Sequence, residues 1–151
     1  MDEPRIVDGR AFLIAGLGER YNSATSRGIS AQWQRFGPHI GRVPGQTAPA
    51  TYGVICNHDG AGNSDYITGV EVKDFSRIPE GWERLTIGPQ KYAVFPHRGD
   101  LSTIRETWFA IWERWLPESG YQAADAPAFE RYGESFEPQA GTGAEIWIPV
   151  R

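Results

Sequence analysis

A carboxylate and an indole lie two residues apart near the end of the sequence. In the run 144–150 (Ala-Glu-Ile-Trp-Ile-Pro-Val), strand alternation places Glu145 and Trp147 on one face and Ile146 and Ile148 on the other. If the isoleucines pack beneath helices, Glu145 and Trp147 face a pocket. Such a pair suits a lipophilic cation, because it combines an ion pair with a cation–π contact of about 0.5–2 kcal/mol. The competing interpretation is a surface glutamate on an edge strand.

Three residues of one helical stripe are candidates for the wall of this pocket. Ile111 and Trp112 come three and four residues after Trp108, so all three lie on a single helix face. A tryptophan stripe is more often core than pocket. Trp108 is the better of the two tryptophans to reach a cleft, because its ring exceeds what packing a short helix requires.

Three further aromatic residues are candidates from strands and loops. Tyr52 and Tyr66 stand near the heads of strand-like runs, where a phenol hydroxyl can hydrogen-bond while its ring packs. Trp82 lies in the loop-like stretch 78–82, from which it is predicted to cover either the site or the edge of the core. These residues complete the predicted ligand-binding set around Glu145.

Other chemical signatures are absent from the sequence. His39, His58 and His97 have no metal-ligand spacing, and for His97 a structural hydrogen bond at a strand end is predicted. The glycine-rich stretch 59–63 lacks the Lys-Ser/Thr of a phosphate loop and precedes a strand, which predicts a hairpin turn. A single cysteine, Cys56, argues against a disulfide or a cysteine-based zinc site. No catalytic residue, metal or cofactor is therefore predicted.

Composition and charge favour a binding domain that does not contact DNA directly. The formal charge is −4, and the arginines are scattered among acids, so the clustered basic face of a phosphate-binding domain is missing. Six Trp, six Tyr and seven Phe exceed the usual needs of a core this size, which suggests a binding surface. The sequence contains neither a signal peptide nor an apolar run of about 18 residues, so we expect a cytoplasmic protein that does not enter a membrane.

Two amphipathic helices are predicted to position these residues. Asp100 can cap the second helix, and Pro117 and Gly120 supply its stop. Pro38 should kink or end the first helix, because proline removes a backbone donor. The apolar stripe of the first helix consists of Ile29, Trp33, Phe36 and Ile40, and that of the second consists of Leu101, Ile104, Trp108, Ile111, Trp112 and Trp115.

Strand-like runs surround both helices in the same order. They span 11–17, 52–57 and 66–73 around the first helix, and 92–97, 129–132 and 145–150 around the second. Each half thus has the order strand, helix, strand, strand, which favours a duplication over a coincidental element order. We predict one α+β domain over 1–151, built from two pseudo-repeated β-α-β-β modules (about 10–75 and 90–151). Its antiparallel sheet carries helices on one side and a ligand cleft on the other.

An ordered set of short motifs runs through nearly the whole chain. The second half contributes 92–97, the Trp108 and Trp112 neighbourhood, 115–117, 126–130 with Tyr132, and 145–150; the first half contributes 52–54, Asn57 and 66–72. The set resembles the GyrI-like effector-binding domains of AraC- and MerR-type regulators, which also occur as single-domain proteins. Because the sequence begins at the effector domain, with no helix-turn-helix ahead of it, we expect a free-standing form.

The resemblance implies paired modules around a hydrophobic pocket for drug-like molecules, often lipophilic cations. A glutamate in the final strand can meet the positive charge in such domains, and Glu145 occupies that motif position. Some relatives bind DNA gyrase instead, and others hydrolyse strained-ring toxins. We predict binding of small amphipathic cations for sensing or sequestration. Left open are a partner protein (a regulator or gyrase), a homodimer, and a hydrolase in which Glu145 is the general base.

Overall fold

The computed structural model describes residues 3–137 and 142–151. These residues form eight strands and two helical regions, an α+β fold as predicted. The chain divides into two compact units: Ala11–Gly88, and Met1–Arg10 together with Pro89–Arg151. We call the first the central unit and the second the terminal unit.

The central unit is an antiparallel sheet with one helix. Its elements are β2 (Phe12–Tyr21), α1 (Ile29–Phe36), β3 (Gln46–Cys56), β4 (Ser64–Val72) and β5 (Glu83–Ile87). β4 pairs with β2 and β3, and β2 also pairs with β5. Gly16 and Gly69 oppose one another in the β2–β4 pair. A Cβ at Gly16 would lie 1.8 Å from the Thr68 carbonyl oxygen, so the two backbones approach too closely for any side chain.

Helix α1 covers one face of the central sheet. Phe36 is fully buried in a cluster with Ala15 and Val70, and Trp33 packs against the same cluster. The α-helix ends at Phe36 and a 3₁₀ turn, Gly37–His39, follows, which confirms the predicted effect of Pro38. Ile40 was predicted to belong to the apolar stripe, and this was wrong: the residue lies beyond the helix and is 38% exposed, because the periodicity stops where the helix does.

The terminal unit repeats this plan. Its elements are β1 (Arg5–Gly9), β6 (Gln90–His97), a helical segment over 101–119, β7 (Ala128–Glu137) and β8 (Thr142–Pro149). β6 pairs with β1 and β8, and β8 also pairs with β7, all antiparallel. The helical segment packs on a buried cluster that includes Phe95, Ile146 and Ile148.

The helical segment 101–119 changes its winding along its length. It comprises a 3₁₀ turn (Leu101–Thr103), α2 (Ile104–Ala110), a π-helical stretch (Ile111–Trp115) and α3 (Leu116–Ser119). Asp100 caps it as predicted, since its carboxylate accepts a hydrogen bond of 2.9 Å from the Ser102 amide. Gly120 ends it in a left-handed conformation at φ 82°. Pro117 is not a stop but lies in the first turn of α3, where a helix tolerates proline.

The predicted order of strand, helix, strand, strand holds in both units. Strands lie in the order β3-β4-β2-β5 in the central unit and β7-β8-β6-β1 in the terminal unit. In each, one additional strand, β5 or β1, pairs with the first strand of the module. Neither additional strand was predicted, because each has only five residues and charged side chains interrupt its apolar pattern.

Candidate functional site

Strand β8 places its side chains on alternate faces of the terminal sheet. Ile146 and Ile148 are fully buried in the cluster beneath the helical segment, with Ile111. Glu145 and Trp147 therefore point to the opposite face, as the alternation predicted. Trp147 donates its indole N–H to Glu145 Oε1 at 3.2 Å, so the carboxylate and the ring are in contact.

Glu145 forms an ion pair with an arginine side chain of the same unit. Arg5 Nη2 lies 2.8 Å from Glu145 Oε2, and the Arg5 guanidinium carbon is 6.0 Å from the centre of the Trp147 ring. Strand pairing explains the meeting, because Arg5 opposes Val94 on β6, and Val94 opposes Trp147 on β8. The Arg5 side chain is 55% exposed and that of Glu145 is 22% exposed, so this ion pair is only weakly stabilising.

An aromatic cluster continues this face of the terminal sheet. Trp147 stacks on Phe129 with ring centres 5.3 Å apart, and Tyr92 meets both rings edge-on. The Tyr92 hydroxyl is buried, with no hydrogen-bond partner among residues 3–137 and 142–151. Burial raises the pKa of Tyr92 to about 12, so the hydroxyl stays protonated at neutral pH.

The predicted helix residues do not join Glu145. Trp108 and Ile111 belong to the cluster with Ile146 and Ile148, on the other face of β8. The expectation that Trp108 and Ile111 line one pocket with Glu145 is thus not met in the terminal unit. The reason is the alternation itself, since a helix that covers the isoleucines cannot also cover the glutamate between them. Trp112 is 38% exposed.

The three predicted residues of the central unit have separate environments. Tyr52 is buried against Phe12, with ring centres 5.7 Å apart. Tyr66 lies on the helix-covered face and its hydroxyl accepts a hydrogen bond of 3.0 Å from Trp33 Nε1. Trp82 packs on the core cluster of the central unit, 5.9 Å from the Phe36 ring, and so covers the edge of that core.

One buried carboxylate was missing from the predicted site. Glu130 on β7 is only 6% exposed, and its oxygens accept hydrogen bonds from Trp108 Nε1 and from the Tyr132 hydroxyl, each at 2.8 Å. Burial, reinforced by the neighbouring Glu130 carboxylate, raises the pKa of Tyr132, so its hydroxyl remains a donor. The available sequence signal was a glutamate two residues before a tyrosine in a strand, a spacing that puts both on one face.

This arrangement of two modules agrees with a family comparison. Residues 2–151 match the model of the GyrI-like small molecule binding domain. The chain belongs to the GyrI-like family. It is 32% identical over 148 residues to the transcriptional regulator BrlR of Pseudomonas aeruginosa, covering 97% of this chain and 54% of BrlR. It is also 37% identical over 79 residues to a DNA gyrase inhibitor of Erwinia billingiae, covering 48% of this chain and 49% of that protein. The GyrI-like chain thus aligns with about half the length of these curated relatives.

Solved structures share the GyrI-like fold at low sequence identity. SAV2435 bound to tetraphenylphosphonium superimposes with a TM-score of 0.78 at 20% identity, covering 99% of this chain and 94% of SAV2435. The C-terminal domain of EcmrR gives a TM-score of 0.68 at 16% identity, with coverage of 99% and 97%. A hydrolase encoded by lin2189 of Listeria innocua gives 0.54 at 11% identity, with coverage of 99% and 92%. These similarities establish the fold.

The other polar motifs of the GyrI-like chain have structural roles. His97 Nε2 lies 3.1 Å from the Asp100 carbonyl oxygen and Nδ1 lies 2.8 Å from the Thr107 hydroxyl, which confirms the predicted structural hydrogen bonding. The stretch 59–63 connects the antiparallel strands β3 and β4, as predicted for a hairpin turn. There the Ala61 amide and the Asn63 side chain and amide lower the pKa of Asp59 to about 2.

No group of three or more His, Cys, Asp or Glu side chains that could hold a metal ion occurs in the described part of the chain. Among the same residues, no helix has the length and apolar character needed to cross a membrane.

Proposed function

We propose that this GyrI-like domain binds lipophilic organic cations and that the Glu130 carboxylate meets their charge. One observation supports the proposal: Glu130 is only 6% exposed, and its carboxylate accepts hydrogen bonds from Trp108 on the helix and from Tyr132 on the same strand. A cation gains more at a buried carboxylate than at an exposed one, because solvent screens the interaction less. The adjacent indole adds a surface for a cation–π contact.

Access to Glu130 requires the Trp108 indole to give up its hydrogen bond. Trp108 lies on α2, three residues before the π-helical stretch Ile111–Trp115 begins. π-Helical turns within helices are uncommon and are frequent at functional sites. We infer that movement of segment 101–119 opens the site. Because only the open molecules can bind the cation, the apparent affinity equals the affinity of the open form multiplied by the small fraction of molecules that are open.

A pair of triaryl phosphorus compounds tests the choice of ligand class. Tetraphenylphosphonium, the ligand in the SAV2435 structure, is a permanent cation, and triphenylphosphine oxide is a neutral analogue. Titration calorimetry on the wild-type chain should give saturable binding of the phosphonium, with the oxide bound at least about tenfold more weakly if charge pairing contributes 1.4 kcal/mol or more. Equal affinities would contradict a cation site.

Glu145 is the second candidate for the cation-binding carboxylate, and its predicted role stays a prediction. A ligand cation at Glu145 would have to displace Arg5, which lies 2.8 Å away. An exposed ion pair of this kind contributes about 0.2–1 kcal/mol. A variant without Arg5 would spare the ligand this cost and would therefore bind a cation at Glu145 up to about fivefold more tightly. The side that Glu145 and Trp147 share also carries the buried Tyr92 hydroxyl, which a ligand acceptor could use.

The Arg5→Gln variant distinguishes the two carboxylates. If Glu130 is the anchor, tetraphenylphosphonium affinity in Arg5→Gln should stay within about twofold of wild type, because the Arg5–Glu145 pair lies on the other face of β8. Arg27→Gln is the matched control, since it removes one exposed positive charge from the central unit. Tighter binding in Arg5→Gln than in Arg27→Gln would instead assign the cation to Glu145.

Sensing is the role we propose for such binding. The relative BrlR is a transcriptional regulator, and a sensing domain would transmit occupancy to a DNA-binding protein rather than contact phosphates itself, in keeping with the net charge of −4. Sequestration, gyrase binding, a homodimer and a cytoplasmic location stay predictions. The hydrolase alternative also stays a prediction, and product analysis after incubation with a strained-ring electrophile would test it.

A further inference from the structure

A groove of about 380 Å³ lies in the terminal unit, between the segment that leads into β1 and the end of the helical segment. Its walls include Glu3 and Ile6 on one side, with Trp115, Glu118 and Tyr121 on the other. Neither Glu130 nor Glu145 lines it. The volume falls within the range of about 300–1,000 Å³ that is usual for small-molecule sites.

The aromatic wall of the groove is held in place by the core. Trp115 and Tyr121 are stacked, with ring centres 6.1 Å apart and planes inclined by 19°. Trp115 also meets the fully buried Phe95 edge-on, at 4.9 Å between ring centres. The Tyr121 amide donates a hydrogen bond of 3.0 Å to Ser119 Oγ, which fixes the chain just beyond the helix end. Packed rings of this kind offer a pre-formed surface to a ligand.

The charge of the groove has one sign. Glu3 and Glu118 are acidic and exposed, and no basic residue is among those that line the groove. Ile6 adds an apolar contact, since it is 43% exposed. A cation in the groove would therefore meet two carboxylates, an aromatic wall and an aliphatic side chain. A neutral or anionic ligand would gain only from the apolar part of these contacts.

We propose that this groove binds small methylated ammonium compounds, as a site separate from the one around Glu130. Aromatic side chains recognise quaternary ammonium groups through the attraction between the cation and the ring faces. The methyl groups suit Trp115, Tyr121 and Ile6, and the permanent positive charge suits Glu3 and Glu118. This site does not depend on the function proposed for Glu130.

Choline and 3,3-dimethyl-1-butanol form a matched pair for the test, because the second replaces the ammonium nitrogen by carbon. Two-dimensional ¹H–¹⁵N NMR of the full chain should show saturable choline shifts at the Trp115 indole and the Tyr121 amide. The double variant Glu3→Gln/Glu118→Gln should bind choline about fivefold more weakly, because it removes two exposed carboxylates and one exposed ion pair accounts for at most about fivefold. Glu113→Gln, an exposed acid of the same helical segment outside the groove, should stay within about twofold.

The Glu130→Gln variant separates this proposal from the previous one, because choline shifts at Trp115 should persist in it even if tetraphenylphosphonium binding is lost. Equal saturable shifts with the neutral alcohol would overturn the assignment to ammonium ligands. Shifts centred on the Trp108 indole, or no saturable shift at millimolar choline, would overturn the site.

Discussion

Glu130→Gln is expected to weaken tetraphenylphosphonium binding by about 2–5 kcal/mol, which is roughly 30-fold at the lower end of that range. The substitution removes the charge and keeps the shape, so the amide can still hydrogen-bond Trp108 and Tyr132. Binding of the neutral triphenylphosphine oxide should change much less, since it has no charge to pair. Calorimetric titration of both compounds into wild type and variant measures the difference.

Two further variants make the Glu130 result specific. Glu134→Gln removes an exposed carboxylate from the same strand and should leave the affinity within about twofold. Glu145→Gln tests the anchor predicted from the sequence, and it should have a smaller effect than Glu130→Gln. If Glu145→Gln gave the larger loss, or if both ligands lost affinity equally in Glu130→Gln, the buried carboxylate would not be the cation site.

Gln32→Leu is expected to lower the free energy of unfolding by about 2–4 kcal/mol, because it leaves several buried polar groups without their partner. Gln32 lies on α1 and is fully buried. Its Oε1 accepts a hydrogen bond of 2.6 Å from the Tyr21 hydroxyl, and its Nε2 lies 3.0 Å from the carbonyl oxygens of Leu17 and Tyr66. One amide thus connects the helix to strands β2 and β4.

The control for this stability prediction lies two residues along the same helix. Gln34 is exposed, so Gln34→Leu should change the free energy of unfolding by no more than about 0.5 kcal/mol. Urea denaturation followed by circular dichroism measures the free energy of unfolding of both variants. The comparison requires that the two have the same m value, which is the slope of that free energy against urea concentration. If Gln32→Leu were as stable as Gln34→Leu, the buried amide would contribute no more than a leucine side chain.

Much of the fold follows from local sequence signals. Asp100 and Gly120 mark the ends of the second helical segment, and Pro38 marks the end of α1, because caps and proline act on the backbone beside them. The faces on which Glu145, Ile146, Trp147 and Ile148 lie were also predictable, since strand alternation assigns all four once the isoleucines are placed in the core. The π-helical stretch Ile111–Trp115 was not, because its apolar spacing also fits an α-helix.

The candidate site was harder to predict because it depends on contacts between residues far apart in sequence. Arg5 reaches Glu145 only because β1 pairs with β6, and that short strand gave no clear pattern. Glu130 accepts a hydrogen bond from the Trp108 indole, 22 residues away in sequence, and the local sequence around either residue does not indicate this contact. The alternation also determines the position of Trp108: because Ile146 and Ile148 pack beneath the helix, Trp108 lies on their side of β8 and not on that of Glu145.

The indole N–H resonance of Trp108 gives the most direct test of the Glu130 proposal. In ¹H–¹⁵N spectra recorded during titration with tetraphenylphosphonium, this resonance can be assigned with a Trp108→Phe variant. We predict a saturable shift as the bond from Trp108 Nε1 to Glu130 is lost. The Trp33 indole, which donates to Tyr66 in the central unit, is the internal comparison and should shift less. An unchanged Trp108 resonance at saturating ligand would contradict the proposal, because the cation would then have bound without reaching Glu130.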